Sequence, residues 1–135
     1  MAAAEEPSLY ARAGGEETFL RLASEFYDRV ERDPLLRPMF VEETMDGPKE
    51  RLALFLSMYF GGPPFYLIER GHPALPLRHA RFAIGPAERD AWVQHMAEAL
   101  DAIDVEDPER SEMLSAMART AAFLTNRERS PNEEV

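Results

Sequence analysis

Three histidines, His72, His79 and His95, are the side chains of this 135-residue chain best suited to hold a metal ion or to move a proton near neutral pH. Two of them lie in GHPALPLRHARFAIG, residues 71–85, a proline-rich stretch that reads as no regular element and sets His79 between Arg78 and Arg81. Several chemistries compete for His79. As a zinc ligand it would need His72, His95 and a carboxylate around one tetrahedral ion. Six and fifteen residues separate the histidines, and no H-E-x-x-H type of spacing is present. As a general base it would need a nucleophile or substrate within hydrogen-bond reach, and no nucleophile motif can be picked out. As a structural residue it needs only a local hydrogen-bond partner. As an axial ligand to haem iron it needs no second histidine, only a pocket of large apolar and aromatic side chains.

The rest of the chain keeps the last two readings open and closes others. It holds 13 aromatic residues (8 Phe, 4 Tyr, 1 Trp), many at inward helix positions, and Arg51 and Arg78 could pair with haem propionates. Aromatic stripes usually mean core, however, so the residues alone do not choose between a cofactor pocket and packing. A formal net charge of −10 leaves no basic stripe for phosphates, which argues against nucleic acid and against an anionic membrane surface. The absence of cysteine excludes disulfides, thiolate zinc sites, iron–sulfur ligation and haem attached through C-x-x-C-H. MAAAEEPSLYARAGGEE is acidic and carries no long apolar run, so it reads as neither signal peptide nor anchor, and the expected location is cytoplasmic. At this length and composition the expectation is one soluble domain.

Four segments have the three-four apolar spacing of helices. In 16–32 the stripe is Phe19, Leu22, Ala23, Phe26 and Val30, with Tyr27 one position round and facing inward; Asp33-Pro34 stops it. The apolar connection Leu35, Leu36, Met39, Phe40 is expected to tuck under the core. A second helix starts near Gly47-Pro48, buries Leu52, Phe55, Leu56 and Tyr59, and ends at Gly61-Gly62. The third, about 86–103, carries Trp92, Met96, Ala99, Leu100 and Ile103. The fourth, about 108–126, carries Met113 or Leu114, Met117, Ala118, Ala121 and Leu124. No segment alternates with period two, so the fold class is all-α. Between the second and third helices, GGPPFYLIERGHPALPL packs four prolines and three glycines into 17 residues, leaving room for a short helical turn at Phe65–Arg70. About 25 residues with little regular structure are uncommon in a compact domain and usually functional. The domain is placed at 16–126, with 1–15 as an N-terminal extension and 127–135 as a polar tail.

The motifs of this middle region, taken together, are specific. FLSMYFGGPPFYLIERGHPALPLRHARFAIGPAERDAW resembles the central signature of truncated haemoglobins of the second group: a Y-[WF]-G-G-P run, an R-G-H-P turn, L-x-x-R-H-x-x-F, and E-R-D-A-W opening a helix. FYDRVERDPLLRPMF is similar to the first long helix of that family and the piece after it. The likeness runs from about Phe19 to Ile103 and more loosely beyond. It implies the truncated globin fold, a two-over-two helical sandwich around non-covalent haem b, in which a loop largely replaces the helix that usually carries the ligand. Matched residue by residue, His79 falls on the proximal ligand to iron, Tyr27 on the distal tyrosine, and Trp92 on the tryptophan whose indole N–H reaches the same ligand. Leu52 and Phe40 fall on apolar distal positions, Arg51 and Arg78 on propionate positions, and Phe82 and Tyr66 on further cofactor contacts, while His72 looks structural.

The resemblance therefore implies reversible binding of diatomic ligands (oxygen, nitric oxide, carbon monoxide). Two donors at the ligand, a phenol O–H and an indole N–H, would slow oxygen release and favour redox chemistry such as nitric oxide detoxification. That chemistry needs a reductase, whose identity is unknown; a homodimer fits the resemblance. Weak peroxidase activity is less favoured, since no carboxylate can be assigned to His79 from sequence. The chain departs from the pattern at Pro48, on the distal gate position, at Phe40 and Phe60, and at Arg81. Pro48 offers no side-chain donor, so ligand stabilisation is expected to rest on Tyr27 and Trp92. A cofactor-free helical protein-interaction module, with the aromatics as core, is the alternative.

Overall fold

The computed structural model describes residues 7–79 and 82–128; the side chains of Leu77 and Arg78 lie outside that description. Its helices are α1 (Leu9–Ala13), α2 (Glu16–Glu31), α3 (Asp46–Tyr59), α4 (Phe65–Arg70), α5 (Leu75–His79), α6 (Pro86–Ala102) and α7 (Glu109–Leu124), with a 3₁₀ turn at Arg37–Met39. No strand occurs among the described residues, and no helix there is long and apolar enough to cross a membrane.

Local chemistry explains the boundaries. In α2, Phe19, Leu22, Ala23, Phe26, Tyr27 and Val30 are all buried, as a single helical stripe requires. The helix stops where Asp33 Oδ1 accepts the Leu35 N–H at 2.8 Å, an Asx turn that the preceding-proline restriction favours. Proline lies in the first turn of α3 (Pro48) and opens α6 (Pro86), where a missing N–H costs nothing. At the α6 start, Glu88 Oε1 accepts the Gly85 N–H at 2.8 Å, the reciprocal half of a capping box. The four long helices form two layers: α2 packs on α3 and on α6, and α6 packs on α7. The core holds Phe19, Phe26, Leu22, Met96, Leu100 and Met113, each under 2% exposed.

One expectation needs correction. Residues 75–79, read as having no regular element, form α5, because Pro76 falls in the first helical turn, where proline is tolerated. Ahead of α2, α1 is capped by Ser8 Oγ on the Ala11 N–H at 3.2 Å and packs on α7. Tyr10 in α1 stacks on Phe19 at 5.3 Å, and its N–H bonds the Phe60 carbonyl at 2.9 Å. This contact also explains Gly61-Gly62. A Cβ on Gly62 would lie 2.6 Å from the Tyr10 ring, and one on Gly61 2.7 Å from the Ser8 Cβ, with Gly61 at φ +95° besides.

Candidate functional site

The apolar side chains of the long helices that stop short of full burial converge on one cavity. It is open to solvent on one side and lined mainly by apolar and aromatic side chains, the character usual for small-molecule sites. Tyr27 and Val30 of α2 line it, with Leu36, Met39 and Phe40 after α2 and Leu52, Phe55, Leu56 and Tyr59 of α3. Leu75 and His79 of α5, Phe82, Ile84, and Met117, Thr120, Ala121 and Leu124 of α7 line it as well. Glu88, Arg89 and Trp92 of α6 complete it. Tyr59, expected to be buried, is 46% exposed, because the face it shares with Phe55 turns toward the cavity mouth.

One aromatic chain positions the polar groups of the α2 wall. Phe26, fully buried, touches Tyr27 edge-on at 4.9 Å and Trp92 at 5.1 Å, and Tyr27 meets Phe40 edge-on at 5.5 Å. Phe40 is held in turn through its backbone: Arg37 Nη1 donates to the Phe40 carbonyl at 3.0 Å and Nη2 to that of Glu42 at 2.7 Å. Burial pushes the Tyr27 phenol well above its ordinary pKa, partly offset by nearby Arg51 and reinforced by Glu42. Tyr27 therefore stays an O–H donor at every physiological pH. The phenol and the Trp92 indole are hydrogen-bond donors lining this largely apolar cavity.

His79 lines the same cavity. Its Nδ1 lies 2.7 Å from the Leu75 carbonyl. A carbonyl can only accept, so Nδ1 carries the proton and Nε2 of the neutral ring keeps its lone pair. That is the orientation second-shell bonding gives to a ligating histidine. His72 accepts the Ala74 N–H at 3.0 Å within its turn. His95 lies elsewhere, in a surface hollow with Arg29, Arg32, Asp33 and Pro34, its Nε2 2.6 Å from Asp33 Oδ2. The three histidines are thus in three places, and no group of three His, Cys, Asp or Glu able to hold a metal occurs among the described residues.

Of the residues singled out in the sequence, Tyr27, Phe40, Leu52, His79, Phe82 and Trp92 line the cavity. Tyr66 and Arg51 do not: Tyr66 is buried with its ring against Phe55 at 5.6 Å, and Arg51 Nη2 bonds Glu42 Oε1 at 2.7 Å. The Arg78 side chain falls outside the described residues. Sequence reasoning missed Glu88 and Arg89. Glu88 is 3% exposed, and its Oε2 has no partner among the described residues. Its position three residues after Gly85 was the available signal, that of a capping glutamate. Arg89 brings a cation to the cavity edge while bonding Asp90 at 2.9 Å.

A haem fits this donor set. One imidazole with Nδ1 already engaged, facing apolar and aromatic walls, cannot build a tetrahedral zinc shell but can supply the single axial bond that a macrocycle-held iron requires. Known proteins agree. The bacterial-like globin family matches residues 8–126. The group 2 truncated hemoglobin YjbI of Bacillus subtilis is 37% identical over 112 residues, covering 83% of this chain and 84% of its own. The crystal structure of the hemoglobin of Chloroflexus aurantiacus superposes with a TM-score of 0.86 at 48% identity, covering 90% of this chain and all of that one. That of the truncated oxygen-avid haemoglobin from Bacillus subtilis gives 0.85 at 35% identity, covering 89% and 100%. The chain belongs to the bacterial-like globin family, and its fold is that of the truncated two-on-two globins.

Proposed function

We propose that this globin holds a non-covalent haem b through His79 and binds oxygen and other diatomic ligands, releasing oxygen slowly. The observation that carries this reading is that one apolar cavity is lined both by His79, with Nδ1 fixed on Leu75, and by the donors Tyr27 and Trp92. A haem bound there supplies an iron that takes a diatomic ligand reversibly. The chain does the rest. His79 Nε2 would hold its iron, and Phe40, Leu52 and Phe82 would keep water from the site, strengthening every hydrogen bond made inside. The Tyr27 O–H and the Trp92 N–H would offer partial positive charge to a bound ligand, and both rings are held by Phe26. Arg89 at the rim and Arg51, if it exchanges Glu42 for a propionate, are the cations available to the cofactor's carboxylates. The naming of the Bacillus subtilis relative as oxygen-avid supports slow release here.

Slow release suits redox use of the ligand better than delivery, and nitric oxide removal is the reaction we assign. One nitric oxide, one oxygen and one electron make one nitrate, so a reductase has to return the electron. Two measurements test the reading. Purified protein titrated with haem should develop a Soret band that shifts with carbon monoxide after reduction; a flat titration overturns it in favour of a cofactor-free interaction module. Nitric oxide consumption under oxygen should then fall in a Tyr27→Phe, Trp92→Phe double variant, and equal rates would reject the detoxification role.

A further inference from the structure

After α7 ends, residues 125–127 run back along the segment that follows His79. Asn126 fastens the two together. Its Oδ1 accepts the Ile84 N–H at 2.9 Å, and its Nδ2 donates to the Phe82 carbonyl at 2.8 Å and to that of His79 itself at 3.4 Å. The main chain adds the N–H groups of Asn126 and Arg127, both on the Ile84 carbonyl, at 2.9 and 3.0 Å. His79, Phe82 and Ile84 on one side of this seam, and Leu124 on the other, all face the cavity.

The seam matters because α5 has so little of its own. A helix of five residues cannot hold its shape by its own hydrogen bonds. The imidazole is steered at the ring by the Leu75 carbonyl, which belongs to the same short helix and moves with it. A fixed reference has to come from outside, and α7, a sixteen-residue helix packed on α6, provides it. Asparagine suits the position because it accepts from one backbone group and donates to others at once. Aspartate can only accept, and alanine does neither.

We propose that Asn126 is a positioning residue for His79: it fixes the backbone from which the imidazole projects and thereby the direction of the Nε2 bond to iron. This rests on the haem reading above. The test uses ferrous, unliganded holoprotein and compares wild type with Asn126→Ala, Asn126→Asp and the exposed-face control Phe123→Ala. The iron–histidine stretching band in resonance Raman spectra reports the bond itself, and haem transfer to excess apomyoglobin reports retention. Asn126→Ala should shift or broaden the band and speed transfer roughly tenfold, the size of about one net hydrogen bond. Asn126→Asp, which keeps the acceptor for Ile84 but faces two carbonyls, should be no better than alanine, and Phe123→Ala should match wild type. A band and transfer rate unmoved in Asn126→Ala overturn the positioning role while leaving the haem reading intact. A wild type that takes up no haem overturns both.

Discussion

The two walls of the cavity are built by different means. On one side, Tyr27 and Trp92 project from α2 and α6, helices of 16 and 17 residues, and are wedged by a fully buried Phe26. On the other, His79 projects from a helix of five residues whose surroundings are tied by hydrogen bonds to Leu75 and Asn126. Interdigitated aromatics fix a side chain without needing a polar partner for it, which leaves the phenol and the indole N–H to act on something else. Hydrogen bonds between short segments fix a backbone cheaply, but each is worth only about 1 kcal/mol net. The donor wall should therefore be limited by packing and the ligand wall by a few polar contacts. Changes on the two sides should show up in different measurements.

The largest effect belongs to the ligand wall. His79→Gly should lose haem on desalting, while the apoprotein melts close to wild type, because no core residue is touched. Free imidazole should restore part of the Soret band by occupying the space made. His72→Ala and His95→Ala should keep haem, since one makes a turn and the other a hydrogen bond to Asp33 away from the cavity. If His95→Ala alone removed haem, the division of the molecule into these walls would be wrong.

Next in size is Phe26→Ala on the donor wall. Removing a fully buried ring should cost about 3–5 kcal/mol in urea unfolding of the apoprotein. It should also loosen both Tyr27 and Trp92, so haem binding through His79 should persist while oxygen release accelerates. A Phe26→Ala protein that unfolds as easily as wild type would show that the wall is not packing-limited. Smaller still are Tyr27→Phe and Trp92→Phe. Each removes one donor with little change of shape, and stopped-flow oxygen release should quicken by roughly tenfold apiece, about the worth of one hydrogen bond. Haem retention should not change in either.

The same division explains what could be read from the sequence. The donor wall was legible because a long helix repeats its pattern: the α2 stripe, Tyr27 included, is buried residue for residue. The ligand wall was legible only as a motif. Its supports come from sequence-distant partners, Asn126 reaching residues 79, 82 and 84 across more than forty positions, and periodicity carries no information about such pairs. Pro76 concealed α5, because proline marks both the first turn of a helix and the interior of a loop. Tyr66 and Arg51 were matched by position alone, and a position does not say whether a side chain turns to the cavity or to a neighbour such as Phe55 or Glu42. Gly61-Gly62 was read as a helix stop; its second reason, the approach of Ser8 and Tyr10, needs a contact that no local pattern reveals.

The smallest effect tests whether the donor wall has any polar dependence. Asp33 and His95 join the end of α2 to α6, one turn beyond Trp92, at 2.6 Å. The nearby charged groups are Glu98, 3.9 Å from His95 Nδ1, and Arg29, which pairs with both Glu98 and Glu25. Burial alone would raise the Asp33 pKa, but the His95 bond and the N–H groups of Leu35 and Leu36 outweigh it and hold the carboxyl below its ordinary value. A carboxyl depressed in the native state binds its proton more readily when unfolded. Its contribution to stability is therefore complete above the unfolded pKa of about 3.9 and disappears as pH falls through the native value. Asp33→Asn keeps an acceptor for Leu35 but replaces the charged oxygen that bonds His95 by an amide NH2. Its urea midpoint should lie below that of wild type at about pH 5, and the gap should narrow as pH falls below about 4. Oxygen release should stay at the wild-type rate across that range, because Phe26 rather than the ion pair sets the Trp92 ring. Release as fast in Asp33→Asn as in Trp92→Phe would mean that both walls depend on polar ties, and that the packing of α2 on α6 is not what aims the donors.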